Sequence, residues 1–218
     1  MKNENTIVAA EGRPFIAVAA LILLVMLVFH APWWATTVWA ALTIFVVAFF
    51  RNPHRVVPPG ADAIVSPADG EVIAVAEFDD MRFGMGRCKR LSIFMSPFNV
   101  HVNRVPLTAK VLDVQYRPGR FLVASAEKAS LDNEQCAVIA ETPGGRRFVF
   151  VQIAGMMARR IVTYARPGDQ LVKGMRYGLI RFGSRVDLYL PLSAEIEVRP
   201  GDRVRGAATR IGRLSDAS

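Results

Sequence analysis

No Asp, Glu, Lys or Arg occurs between Phe15 and Phe50. An uncharged apolar run of that length is not the surface of a water-soluble domain, and it constrains the fold more than any other feature of the chain. Proline lacks an amide hydrogen, so the run breaks at His30-Ala31-Pro32 into Phe15–Phe29 and Trp33–Phe50. Each half is close to or slightly below the roughly 20 residues that span a bilayer as a helix. The pattern predicts an N-terminal hydrophobic helical hairpin within residues 1–50, spanning or re-entrant. Lys2 and Arg13 precede it, Arg51 and Arg55 follow it, and the turn carries no basic residue. The positive-inside bias then puts both ends, and the domain that follows, on the cytoplasmic side of the cell membrane. Trp33-Trp34 would lie at the far interface. The alternative is a secretory signal peptide; the second apolar segment and the lack of an obvious small-residue cleavage site speak against it.

From Arg51 the composition is that of a soluble domain. RNPHRVVPPG, residues 51–60, reads as a linker, leaving 61–218 for one domain of ordinary size. The net charge is +8, mostly from this region. Beside a bilayer, each well-placed Lys or Arg contributes about 1 kcal/mol of attraction to anionic lipid. The charges are scattered and no nucleic-acid-binding motif occurs, so nucleic acid is not an expected partner. Cys88 and Cys136 form no CxxC pair and read as buried small residues or free thiols. With three histidines, one of them in the apolar turn, no metal site is expected.

Short β-rich runs recur along the domain at Ala63–Val65, Gly70–Ala76, Arg90–Met95, Val111–Tyr116, Cys136–Glu141, Arg147–Ile153, Arg185–Leu190 and Glu195–Val198, separated by Gly, Pro and Asp. Helical periodicity is weak and confined to Ser125–Asn133. The expected fold is mostly β, a compact antiparallel domain of short strands. Arg166-Pro167-Gly168-Asp169 recurs as Arg199-Pro200-Gly201-Asp202. Such tight turns, each feeding a strand, are structural hairpin turns like those of barrel-sandwich hybrid domains.

Three stretches offer chemistry. Ser66-Pro67-Ala68-Asp69-Gly70 is, taken alone, an Asp-Gly turn. Ser96-Pro97-Phe98-Asn99-Val100-His101 holds the one histidine of the domain away from the linker, and a lone histidine is more often structural than catalytic. Phe182-Gly183-Ser184 is a pair of common residues after an aromatic one. Together and in this order they resemble the phosphatidylserine decarboxylase family, whose members carry S-P-x-D-G, then S-P-x-x-x-H, then a C-terminal F-G-S or L-G-S. The resemblance covers most of Ser66–Pro191 and is nearest to the short, membrane-anchored branch. Longer members have a second histidine three residues after the first, where this chain has Arg104, so that residue's role does not carry over. Arg185 likewise stands where they have a small hydroxyl residue.

The resemblance implies a pyruvoyl-dependent enzyme, made as a zymogen, that turns phosphatidylserine into phosphatidylethanolamine and CO2. Ser184 would attack the Gly183 carbonyl, and the resulting ester would eliminate, leaving a pyruvoyl group at 184. The cut would separate a large chain, 1–183, from a small chain, 184–218. The pyruvoyl cofactor then forms the Schiff base with the substrate amine. His101, of a residue type with an ordinary pKa of about 6.5, is the expected base and proton donor. Asp69 is expected to orient it. Arg104, Arg159, Arg160 and Arg181 are candidates for the substrate phosphate. Phe121–Ala124 and Met156-Met157 could meet acyl chains, with core packing as the default. Partners are then phosphatidylserine in an anionic membrane and the two chains of one precursor; homo-oligomerisation stays open. The competing readings are a non-enzymatic membrane-anchored hybrid or lipid-binding β domain, a pyruvoyl decarboxylase of a soluble amino acid, and a zinc endopeptidase, which the histidine count disfavours.

Overall fold

A computed structural model describes residues 6–119, 133–155, 160–181 and 184–214. The chain divides into two compact units, one within 3–54 and the other within 55–218.

The first unit is a helical hairpin. Helix α1 runs Arg13–Val28 from a single 3-10 turn at Ala10–Gly12, and α2 runs Trp33–Phe49. The break falls where Pro32 caps α2 and His30 takes a positive φ of 50°. Trp39 Nε1 donates to Ala19 O at 3.0 Å, joining the helices. The open end is tied by Ala9 N to Phe50 O at 2.8 Å and Asn52 N to Ile7 O at 2.6 Å. Gly12 lets this closure happen, because a Cβ there would lie 2.3 Å from the Phe50 ring. Ala10–Val28 is long and apolar enough to cross a membrane; Trp33–Phe49 is shorter.

The second unit is mostly β, as the short alternating runs predict. Its strands are β1 (Ala63–Val65), β2 (Gly70–Asp80), β3 (Gly86–Met95), β4 (Val102–Arg104), β5 (Ala109–Arg117), β6 (Gln135–Glu141) and β7 (Arg147–Ala154), followed by β8 (Ile161–Thr163), β9 (Gln170–Leu171), β10 (Arg176–Ile180), β11 (Ser184–Pro191), β12 (Ala194–Ile196), β13 (Arg203–Val204) and β14 (Arg210–Leu214). Eight form one antiparallel sheet curled into a half-barrel, in the order β13-β2-β3-β11-β7-β6-β5-β9. Two three-stranded sheets, β1-β14-β12 and β4-β10-β8, accompany it. The core gathers Ile64, Leu91, Ile93, Phe150, Val186 and Leu188, all with no exposed surface. The weak helical periodicity of Ser125–Asn133 falls, up to residue 132, outside the described residues.

The repeated Arg-Pro-Gly-Asp turns are alike in detail and sit at opposite edges of the large sheet. In each, the Asp Oδ2 accepts the Arg N–H at 2.9 Å and the glycine has a positive φ, 91° at Gly168 and 95° at Gly201. Gly168 N donates to Val111 O and Gly201 N to Val72 O, and each turn leads into an edge strand, β9 beside β5 and β13 beside β2. They are structural turns, built on glycine's freedom at positive φ.

Candidate active site

The three motif stretches converge through backbone pairing. Pro67 O accepts Arg104 N at 2.8 Å, which ties the Asp69 turn to the strand after His101. Gly70 packs against β3 so closely that a Cβ would lie 2.1 Å from Phe94 O, which explains glycine there. At one end of the second stretch, Met95 stands opposite Ser184 in the β3–β11 ladder. At its other end, His101 O accepts Ile180 N at 3.3 Å. The segment leading to His101 and the segment leading to Ser184 are therefore clamped together at both ends.

Ser184 is the first residue of β11 and has no exposed surface. Its strand is central, bonded to β3 on one side and β7 on the other, with Ala154 as the β7 partner of Ser184. Ser184 Oγ lies 3.4 Å from Met95 Sδ. His101 is also fully buried, with Nδ1 2.9 Å from Asn99 O. A carbonyl only accepts, so Nδ1 carries the hydrogen, which leaves Nε2 as the ring nitrogen able to exchange a proton. Gly183 lies outside the described residues, as does Arg159.

Asp69 has other partners than the expected one. Its Oδ2 takes an ion pair from Arg55 at 2.7 Å and its Oδ1 accepts Gly206 N, also at 2.7 Å. Among the described residues it makes no hydrogen bond to His101, and Nδ1 of that ring is instead partnered by Asn99 O. The arginines are dispersed. Arg104 is half-buried and donates through Nη1 to Gly174 O at 3.3 Å. Arg160 is exposed and Arg181 half-buried, and the Arg181 N–H donates to Arg160 O at 3.3 Å.

The cavity beside these elements has a volume of about 560 Å³ and is lined by Asp69, Glu71, Ser96, Asn99, Arg203 and Arg205. Neither Arg203 nor Arg205 makes a side-chain ion pair among the described residues, so both guanidinium groups are available to an anion. Phe98, in the same turn as Ser96 and Asn99, is 76% exposed.

Behind Ser184 runs a buried polar chain that the motifs did not reveal. Thr163 Oγ1 donates to Gln152 Oε1, Gln152 Nε2 donates to Asn103 Oδ1 at 2.8 Å, and Asn103 Nδ2 reaches Met95 Sδ at 3.6 Å. The available sequence signal was Gln152 itself, a polar residue inside the apolar run Phe148–Ile153. Burial pushes the Cys136 thiol up. On β10, burial holds the Tyr177 phenol well above its ordinary range.

Residues 42–212 match the family model for phosphatidylserine decarboxylase. Phosphatidylserine decarboxylase proenzyme of Geobacter metallireducens is 49% identical, over 98% of this chain and all of the relative. The proenzyme of Geobacter sulfurreducens is 46% identical and that of Syntrophotalea carbinolica 49%, each again over 98% of this chain and all of the relative. The chain belongs to the phosphatidylserine decarboxylase family.

Proposed function

We propose that this chain is a self-processing phosphatidylserine decarboxylase whose Ser184 becomes a pyruvoyl group, anchored by its apolar hairpin with the β domain on the cytoplasmic side. One observation carries the reading: Ser184, the serine of the family's Gly-Ser pair, opens a buried central strand clamped to the His101 segment. Membership of a proenzyme family agrees with it.

The residues fit the group. Ser184 is paired in register with Met95 on one side and Ala154 on the other, has no exposed surface, and has a buried amide network behind it. In processing, His101 Nε2 takes the Ser184 Oγ proton as the oxygen adds to the Gly183 carbonyl. Asn99 O holds the imidazole in the tautomer this requires. Asp69 acts one step further out, joining Arg55 to the Gly206 turn so that the wall of the cavity keeps its shape. Once formed, the pyruvoyl group supplies a carbonyl sink for the electron pair left by departing CO2. Around it, the chain binds and orients the lipid headgroup, excludes water and returns a proton, with His101 as the donor. Arg203 and Arg205 at the cavity, with Arg104, Arg160 and Arg181 as further candidates, pair with the phosphodiester.

The test uses the purified full chain in detergent micelles containing phosphatidylserine, with CO2 and phosphatidylethanolamine measured together. The expected result is one of each per turnover, abolished by Ser184→Ala, with free serine left untouched. Lipid that is not converted, or conversion that survives Ser184→Ala, would overturn the reading.

A further inference from the structure

Asn103 and Gln152 are both fully buried, and the direction of their amides is fixed by one backbone group. Gln152 Nε2 lies 3.4 Å from Val162 O, which can only accept, so nitrogen and not oxygen occupies that end of the amide. The same nitrogen donates to Asn103 at 2.8 Å, so Asn103 must present oxygen to Gln152 and its N–H groups towards Met95. Thr163 Oγ1, donating to Gln152 Oε1, completes the sequence. Gly178 makes room for it, because a Cβ there would stand 2.7 Å from Gln152 Nε2 and 2.3 Å from Val162 O.

The chain of donors thus points at the neighbourhood of Ser184. Asn103 Nδ2 and Ser184 Oγ approach the same atom, Met95 Sδ, at 3.6 and 3.4 Å. Thioether sulfur is a weak acceptor, and among the described residues Asn103 Nδ2 has no other. A buried amide with a full-strength donor given only to sulfur is poised for a stronger acceptor formed transiently beside it.

We propose that Asn103 is the hydrogen-bond donor to the oxyanion formed when Ser184 Oγ adds to the preceding carbonyl, and that Gln152 is the positioning residue that aims it. This rests on the self-processing reading above. In the step, the Oγ–C bond forms, the carbonyl π pair moves onto its oxygen, and the Oγ proton passes to His101. Collapse then breaks the C–N bond, and the nitrogen takes a proton as the ester appears. The negative charge on oxygen is what Asn103 meets, and removing one such donor elsewhere costs about 10²–10³ in rate.

The test follows scission of the full chain, made by cell-free synthesis in detergent micelles, after translation is stopped. Asn103→Leu is expected to slow scission about 10²–10³-fold. Met95→Leu, which removes the sulfur and keeps the volume, is expected to stay within several-fold of wild type. Gln152→Met keeps the volume but removes the N–H that fixes the Asn103 amide, so scission slows while the chain still folds and melts cooperatively. A purely structural role would not separate those two readouts. Equal slowing by Met95→Leu and Asn103→Leu, or wild-type scission in a folded Asn103→Leu chain, would overturn the proposal. If Asn103→Leu does not fold, Gln152→Met decides, and wild-type scission or loss of folding there ends the assignment. An uncut wild-type chain would sink the self-processing reading itself, whereas a cut wild type with unaffected variants sinks only the role of Asn103.

Discussion

Ser184 faces Met95 across the β3–β11 ladder, its hydroxyl 3.4 Å from the thioether sulfur and wholly out of solvent. The residue proposed for self-cleavage is therefore held by the middle of the sheet rather than by an exposed loop. From Ser184 to Tyr189, β11 is paired on both sides, with β3 and with β7.

Scission before Ser184 should accordingly leave the two chains together. Residues 184–214 supply the central strand β11, the edge strand β13 beside β2, and β14 beside β1. Both chains are expected to elute as one species in gel filtration under native conditions and to separate only in denaturant. Loss of the small chain without denaturant would contradict this.

Arg185 and Asp187 form a buried ion pair on the strand that carries Ser184, at 2.6 Å, with Arg185 Nη2 also donating to Ser92 Oγ at 2.8 Å. Removing one partner leaves a buried charge, at a cost of about 3–5 kcal/mol. Asp187→Ala, compared with its parent in a Ser184→Ala background so that both are single chains, should lose stability of that order in urea melts.

The cavity arginines should act on binding. Arg203→Gln with Arg205→Gln is expected to raise KM for phosphatidylserine about tenfold, roughly 1.4 kcal/mol, and to leave kcat and scission nearly unchanged. A fall in kcat at constant KM would argue against a headgroup role.

Tyr189 gives the β domain an alkaline limit. Burial first, then the Asp187 charge, pushes its phenol up to about 12. The unfolded phenol ionises near pH 10, so between about 10 and 12 the folded state holds the proton that the unfolded state has released. Stability is thus intact below pH 10 and falls as pH rises to 12, by about 2–3 kcal/mol from this residue. Tyr177 adds in the same direction. Urea melts at pH 9 and 11 should show the decline, and Tyr189→Phe should lessen it.

The apolar hairpin and the long strands were legible because their patterns are local. The expected break at His30–Pro32 is where α1 ends and α2 begins, and β7 and β11 enclose the expected runs Arg147–Ile153 and Arg185–Leu190. Strands β4, β8, β9, β10, β13 and β14 were missed because they are two to five residues long and held by tertiary pairing. Arg176 and Gly178 in β10 look nothing like a buried strand, yet Arg176 is enclosed, with Nη2 on Tyr164 Oη at 2.8 Å. At the candidate site, Ser184 and His101 were singled out by ordered motifs. The partners of Asp69 were not, since Arg55 and Gly206 reach it from a linker and a distant turn. Gln152 and Asn103 are likewise 49 residues apart and meet only through the sheet.

Intact-mass analysis of the purified protein in denaturant tests the central claim most directly. Two chains are expected, one ending at Gly183 and one beginning at residue 184 with no free amino group. A single uncut chain of full mass would contradict the account.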